Sequence, residues 1–258
     1  MAENTIQQIK SKLASIQRAD DPFLEEVKED SRKGVQKLYE AWKKQYNRTE
    51  QEKEIFFKMR KHEEHLWEQG FQLIGGVDEV GRGPLAGPVV ACCVILSPEF
   101  FLPGLTDSKK LSKQKREEYF HRIQEEAQAI GVGMATAEEI DQLNIYEATK
   151  VAMNRAIRKL EQIPDFLLLD AMKLTINIPQ TSLIKGDSKS ISIAASSVIA
   201  KVTRDRYMED LAKVYPEYGF ERHMGYGTGE HLEALKQHGI TKEHRRSFSP
   251  VQDAMSLF

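Results

Sequence analysis

The sequence predicts an α/β protein: a mixed β-sheet flanked by helices, with a helical N-terminal extension and a helical C-terminal region. Three observations predict it. Residues 1–70 are densely charged, poor in glycine and proline, and carry apolar residues at helical spacing. From Phe71 the pattern changes to short apolar runs punctuated by Gly and Pro. Beyond Ala129 such runs alternate with long stretches of helical periodicity, the order expected of a sheet with helices laid against it.

In the first segment Ile6, Ile9, Leu13 and Ile16 recur on one helical face, and Asp20-Asp21-Pro22 breaks the run before Leu24 and Val27. From Arg32 the period resumes with Val35, Leu38, Tyr39 and Trp42, then Ile55, Phe56, Met59, His62 and Leu66. The spacing predicts two or three amphipathic helices, the last closed by Gly70 as a C-cap. Residues 1–70 are therefore taken as an extension and 71–258 as the main domain. There, Phe71 to Val77 and Pro88 to Leu96 read as strands, with Gly81 to Gly87 as the turn between them. Ser112 to Gln128 reads as a helix with Ser112 as N-cap, and Ala129 to Ala137 as a third strand. Glu138 to Glu161 reads as a helix. Phe166 to Leu169 is a short strand ending on Asp170. Leu183-Ile184 is a weaker fifth strand ending near Asp187, and Ser190 to Val214 is a strong helix.

Composition narrows the setting. No run approaches the roughly eighteen apolar residues of a membrane span, and MAENTIQQIK lacks the apolar core of a secretory signal. Cys92 and Cys93 are neighbours in an apolar run, which suits small core residues and not a disulfide framework. Asn47-Arg48-Thr49 matches a glycosylation acceptor, but nothing routes the chain outward, so a cytoplasmic protein without membrane partners is expected. A net charge of −2 neither favours nor excludes nucleic acid, since clustered carboxylates can offset a basic face.

Asp78 with Glu79, Asp170 and Asp187 each follow an apolar run, so each would emerge from the core at a strand end. Taken alone, an Asp after a strand such as Asp170 or Asp187 is more often an N-cap or turn residue than a ligand. Clustered, such acids repel unless a cation neutralises them. An all-oxygen set favours Mg²⁺ or Mn²⁺ over Zn²⁺. Two such ions about 4 Å apart serve phosphoryl transfer, the design of a nuclease or polymerase.

The flanking residues make the reading specific. Gly76-Val77-Asp78-Glu79-Val80-Gly81-Arg82-Gly83-Pro84-Leu85-Ala86-Gly87-Pro88 resembles the signature of ribonuclease HII, the type 2 ribonuclease H family. The resemblance continues through Asp107-Ser108-Lys109-Lys110-Leu111-Ser112, Lys185-Gly186-Asp187-Ser188-Lys189-Ser190, and Ala194 to Asp205, and closes on Gly225-Tyr226-Gly227-Thr228. It covers the chain from about Phe71 onward, in the family's order and spacing. It implies a ribonuclease H-like fold, with Asp78, Glu79, Asp170 and Asp187 as catalytic, metal-binding acids. It further implies hydrolysis of RNA in RNA–DNA hybrids and cleavage 5′ of single ribonucleotides in duplex DNA, leaving 3′-hydroxyl and 5′-phosphate ends.

The other motif residues fit that chemistry. Gly81-Arg82-Gly83 lets the backbone approach a sugar and bond its 2′-hydroxyl, while Arg82 can hold a phosphate by a fork of two bonds. In the family the tyrosine matching Tyr226 stacks on the nucleotide after the ribonucleotide. Lys109, Lys110, Lys185, Lys201 and Arg204 are candidates for phosphate contacts. Ser190 would set the N–H groups of a helix start near Asp187, suited to an anionic substrate. His223, His231, His238 and His244 lack metal-ligand spacing and read as surface or packing residues. Phe248 and Phe258 fit a partner-binding tail at the C-terminus, such as one for a sliding clamp. The competing readings are a ribonuclease HIII-like hybrid nuclease, another two-metal nuclease such as a junction resolvase, and a non-catalytic nucleic-acid-binding module. A HIII-like chain is expected to carry a β-rich N-terminal domain and a changed Gly-Arg-Gly, which this one does not.

Overall fold

The computed structural model describes residues 4–256. Among these, the N-terminal segment folds as α1 (Ile6–Ser15), α2 (Pro22–Glu29) and α3 (Lys33–Glu68). Thr5 and Gln8 form a capping box at the start of α1, and Asp21 caps α2 with Pro22 in the first turn. Ile9, Leu13, Phe23, Leu24, Val27 and Val35 share one buried cluster, with Leu38, Tyr39 and Trp42 against it. This is the apolar stripe read from the sequence, except that Ile6 and, further along α3, Ile55 are exposed. α3 is a single helix of 36 residues. It closes as expected at Gly70 (φ 95°), where the Phe71 N–H donates to the Leu66 carbonyl at 3.2 Å.

The chain divides into two compact units, Met1–Phe57 and Lys58–Phe258, and the division falls inside α3. The last turns of α3 belong to the second unit because Leu66 is buried with Ile74, Leu168 and Ile193. That unit continues with β1 (Ile74–Val80), β2 (Val89–Ile95), α4 (Lys113–Glu126), β3 (Ala129–Ala135), α5 (Ala137–Leu143) and α6 (Ile145–Arg158). After these come β4 (Phe166–Asp170), β5 (Gln180–Leu183), α7 (Ile191–Val214), α8 (Phe220–His223), α9 (Gly229–His238) and α10 (Ser249–Met255).

The five-stranded sheet has the order β3-β2-β1-β4-β5. β1, β2 and β3 form an antiparallel meander, and β4 and β5 add in parallel on the other side of β1. The path from β1 to its parallel neighbour β4 runs through β2, β3 and the helices α4 to α6, whereas β4 and β5 are joined by residues 171–179, which contain no helix. β2 is buried along its whole length, so Val89–Ile95 is apolar throughout and does not alternate. α7 lies directly on β1: a Cβ on Gly76 would sit 2.1 Å from the Ser192 carbonyl carbon, so only glycine permits this approach.

Several boundaries differ from those the sequence predicts: β1 starts at Ile74, and β3 ends at Ala135, with Ala137 opening α5. β1 runs on through Val80, so Asp78 and Glu79 lie within the strand, paired with Cys92 and Ala91. The helix expected over 138–161 is two helices, because Asn144 adopts φ 70° and its side chain caps α6 by accepting from the Tyr146 and Glu147 N–H groups. β5 begins at Gln180 and stops at Leu183, leaving Ile184 outside it and exposed. Among the described residues no helix is long and apolar enough to cross a membrane.

Candidate active site

β1 and β4 are parallel neighbours with Val77 beside Leu169, which sets Asp78 and Asp170 side by side, one residue further along. Asp187 follows β5 on a 3₁₀ turn, Gly186–Ser188, and the Gly186 N–H donates to Asp170 Oδ1 at 2.6 Å. The C-terminal part of β1, the end of β4 and the turn after β5 thus carry the four acids singled out from the sequence to the same side of the sheet. Asp78 is buried, Glu79 nearly so, and Asp170 and Asp187 are half-buried. Their charges act on one another. Burial, then the charges of Glu79 and Asp170, holds the Asp78 carboxyl well above the usual carboxylate range. Burial also raises Glu79, with the Arg82 guanidinium opposing and Asp170 reinforcing. Asp187 is raised by burial, then by Asp107 and Asp170.

The donor set fits a hard divalent cation. All the candidate ligands are carboxylate oxygens, and Glu79 Oε2 is buried without a hydrogen-bond partner. A cation there would relieve the mutual repulsion and give that oxygen a partner. Among the described residues, no three His, Cys, Asp or Glu side chains are already grouped so as to hold an ion. Like carboxylates on separate elements repel, and Asp170 Oδ1 is engaged by Gly186.

Beside the acids lies the Gly81–Gly87 turn. Its carbonyls are gathered inward by two buried guanidiniums. Arg204 donates to Pro88 O (3.0 Å), Ala86 O (3.1 Å) and Met224 O (2.9 Å). Arg245 donates to Gly81 O (2.6 Å), Arg82 O (3.0 Å) and Gly87 O (2.8 and 3.0 Å). Arg204, expected to touch phosphate, is therefore corrected: it has no exposed surface, and its donors are committed to backbone. Gly81, at φ 91°, packs on it; a Cβ there would fall 2.2 Å from Arg204 Nε. Gly83 is exposed, and a Cβ there would meet only the Tyr226 ring, at 3.6 Å. Tyr226 is 42% exposed. The Leu85 N–H donates to Gly225 O at 2.8 Å, tying the two turns together. Arg82 points outward, with Nη1 3.5 Å from Glu79 Oε1.

The lysines separate. Lys109 and Lys110 ride on a 3₁₀ turn, Ser108–Lys110, that Asp107 caps and the Ser108–Ser197 hydroxyl contact (2.9 Å) anchors to α7. Lys109 acts electrostatically on both Glu79 and Asp187, and Lys110 Nζ donates to Ser188 Oγ at 3.0 Å. Lys185 is exposed in a left-handed conformation. Lys201 is largely buried and pairs with Asp205 at 2.6 Å, so its charge is balanced within α7. The start of α7 is not open to substrate, because Glu63 from α3 fills it. Its Oε1 accepts from Ser190 Oγ (2.5 Å), Ser192 N (3.0 Å) and Ser192 Oγ (2.8 Å).

Glu63 and Arg245 carry weight that the sequence reading did not assign. Glu63 had a usable signal: it shares a helical face with Met59 and Leu66, both buried. The His231–His244 pair also sits beneath the site. Thr241 N donates to His244 Nδ1 (2.9 Å), which makes His244 Nε2–H the donor to His231 Nε2 (3.0 Å). His231 Nδ1–H then donates to Tyr226 O at 3.0 Å. Phe248 is no tail residue. It opens α10, is half-buried against the core, and lies 5.2 Å from the Arg245 guanidinium; Phe258 falls outside the described residues.

Comparison with known proteins adds family to geometry. A family model described as ribonuclease HII matches residues 75–251, and one for the ribonuclease HII N-terminal domain matches residues 5–67. The ribonuclease HII of Geobacillus sp. (strain WCH70) is 53% identical over 257 residues, covering 100% of this chain and 93% of its own. The solved ribonuclease H2 of Pyrococcus horikoshii OT3 is similar at a TM-score of 0.62 and 27% identity, over 71% of this chain and 97% of that one. The RNase HII in a PCNA:RNase HII complex from Archaeoglobus fulgidus is similar at 0.58 and 27%, over 69% and 95%.

Proposed function

The chain belongs to the ribonuclease HII family, and on that premise we propose that it is a divalent-metal-dependent endoribonuclease that hydrolyses the RNA strand of RNA–DNA hybrids. It also cuts on the 5′ side of single ribonucleotides embedded in duplex DNA. The P–O3′ bond breaks, leaving a 3′-hydroxyl upstream and a 5′-phosphate on the ribonucleotide. The observation that supports this reading most is that four carboxylates, from β1, the end of β4 and the turn after β5, lie beside a turn whose carbonyls point inward to Arg204 and Arg245.

Asp78, Glu79, Asp170 and Asp187 hold Mg²⁺ or Mn²⁺. The chemistry such ions supply is activation of a water and neutralisation of charge on the leaving oxygen. The protein's own groups choose and place the substrate. With its carbonyls turned in, the Gly81–Gly83 backbone is left to meet a 2′-hydroxyl, which DNA lacks. Gly83 leaves room for the sugar next to the exposed Tyr226 ring, on which the following nucleotide stacks. Arg82, Lys109, Lys110 and Lys185 hold phosphates. Residues 71–258 form the catalytic domain and 1–70 the helical extension, and the enzyme works in the cytoplasm. A sliding-clamp contact, as in the archaeal PCNA complex, falls to the exposed Met255 and the residues after it.

Cleavage of duplex DNA with one embedded ribonucleotide, alongside a long hybrid, tests the proposal. The expected result is cutting of both with Mg²⁺ or Mn²⁺, none in chelator, and none by Asp78→Asn. Full cleavage by Asp78→Asn would sink the site assignment. Cutting of long hybrids alone would favour a HIII-like nuclease, and binding without cutting would favour a non-catalytic module.

A further inference from the structure

We propose that the last turns of α3 form a second contact with the nucleic-acid substrate, in which Lys58, Lys61 and Lys189 bind the sugar–phosphate backbone of the duplex away from the cut bond. The inference rests on the nuclease reading above and extends the footprint of that same site.

Lys58, Lys61, His62 and His65 follow the i, i+3, i+4, i+7 spacing of one helical stripe, beside the buried Met59, Glu63 and Leu66. Lys58 and Lys61 are exposed, and neither pairs with a carboxylate among the described residues, whereas the intervening Arg60 pairs with Glu64. His65 Nε2 accepts from the Gln69 amide at 2.8 Å, and burial, with Lys189 nearby, disfavours protonation of His62.

What joins this stripe to the active site is Glu63. Its three hydrogen bonds to Ser190 and Ser192 pin α3 against the start of α7. The residues just before the contact on each element, His62 and Lys189, are thereby brought alongside each other. Lys189 is exposed and unpaired among the described residues, and Ser188 beside it accepts from Lys110. Cations thus run from Lys109 and Lys110, which face the carboxylates of the site, through Lys189 to α3, and of these Lys189, Lys58 and Lys61 have no carboxylate partner among the described residues.

A single surface lysine is usually only solvated. A series of uncompensated lysines continuous with a phosphodiester-cleaving centre has a specific complement, because duplex DNA presents one negative charge about every 1.7 Å. From residue 58 to 65 the stripe spans about 10 Å of helix, enough to meet several phosphates. Continuity with the acids favours the substrate duplex over an acidic protein as the occupant.

The test uses the full chain and fluorescence anisotropy on an all-DNA duplex of about 24 base pairs, at salt from about 50 to 200 mM. The triple variant Lys58→Gln/Lys61→Gln/Lys189→Gln is compared with Lys33→Gln/Lys37→Gln/Lys44→Gln, which removes equal charge from elsewhere on α3. Each lost phosphate contact lowers the slope of log K against log salt by about 0.9, so the first variant should lose about 2.7. Across that range the wild type then weakens about 40-fold more than the variant. The control triple should keep the wild-type slope. An unchanged slope in the first variant, or an equal drop in the control, overturns the inference. Failure to cut an embedded ribonucleotide despite these slopes would instead strike the catalytic reading and leave the backbone contact standing.

Discussion

Replacing Gly81 by alanine is expected to cost about 2.5–5 kcal/mol of folding stability. The backbone at Gly81 has φ 91°, where an L-residue pays about 1–2 kcal/mol. The new Cβ would lie 2.2 Å from Arg204 Nε, 2.6 Å from its Cδ and 2.8 Å from Pro88 O. Arg204 cannot swing away freely, because its guanidinium is buried and holds three carbonyls. Loosening one such charge-assisted bond costs about 1.5–3 kcal/mol. Gly83→Ala is the matched comparison. Its φ is not positive, and its Cβ would make an ordinary 3.6 Å contact with Tyr226. Stability should change by no more than about 0.5 kcal/mol. Its whole effect should appear in catalysis, as a fall of about tenfold or more in kcat/KM on an embedded ribonucleotide, equivalent to about 1.4 kcal/mol of lost transition-state binding. Urea denaturation and cleavage kinetics measure the two effects separately. Wild-type stability in Gly81→Ala, or a comparable loss in Gly83→Ala, would refute the division of labour between the two glycines.

Three further outcomes are expected. His231 and His244 are buried and neutral, their pKa values lowered by burial to about 4 and about 3. Unfolding lets each take up a proton below about 6.5, so their stability contribution is complete above that pH. It declines as pH falls toward 4, by about 1.4 kcal/mol per pH unit for each histidine. Urea midpoints at several pH values check this, and His244→Gln should halve the slope; an unchanged slope would mean the pair is not neutral in the folded state. Glu63→Ala should cost about 2–4 kcal/mol by stranding the Ser190 and Ser192 donors, while Glu63→Gln, which keeps an acceptor oxygen, should cost less than half as much in the same denaturation assay. Arg245→Lys keeps a cation but loses the planar fork that reaches Gly81 O, Arg82 O and Gly87 O. Its kcat/KM should fall more than tenfold, and near-normal cleavage would show that charge alone, not carbonyl orientation, is what the turn requires.

Much of the fold was legible because it rests on periodicity. The apolar stripe of α1 to α3, the continuous run of β2 and the N-cap Ser112 are local signals, and each appears in the structure. What was misread depends on contacts that no local pattern carries. Asn144 splits a stretch of unbroken helical period by a single positive φ and its own side-chain cap. β5 is an edge strand of polar residues, Gln180-Thr181-Ser182, with little burial to mark it.

The site divides along the same physical line. Acids at the ends of adjacent parallel strands can be placed together from sequence, since strand ends are where a sheet releases the chain. Basic residues cannot be sorted that way. Lys201 and Arg204 sit three positions apart on one helix beside the site and read alike, yet one is paired with Asp205 and the other is enclosed by backbone carbonyls. The distinction depends on what lies opposite each residue in space. Arg204 faces carbonyls from residues more than a hundred positions earlier in the chain. A buried guanidinium so placed acts through geometry: it turns carbonyls inward, and the turn's remaining polar groups are left for a substrate. Selectivity for a 2′-hydroxyl would then depend as much on two arginines that never touch the nucleic acid as on the turn that does.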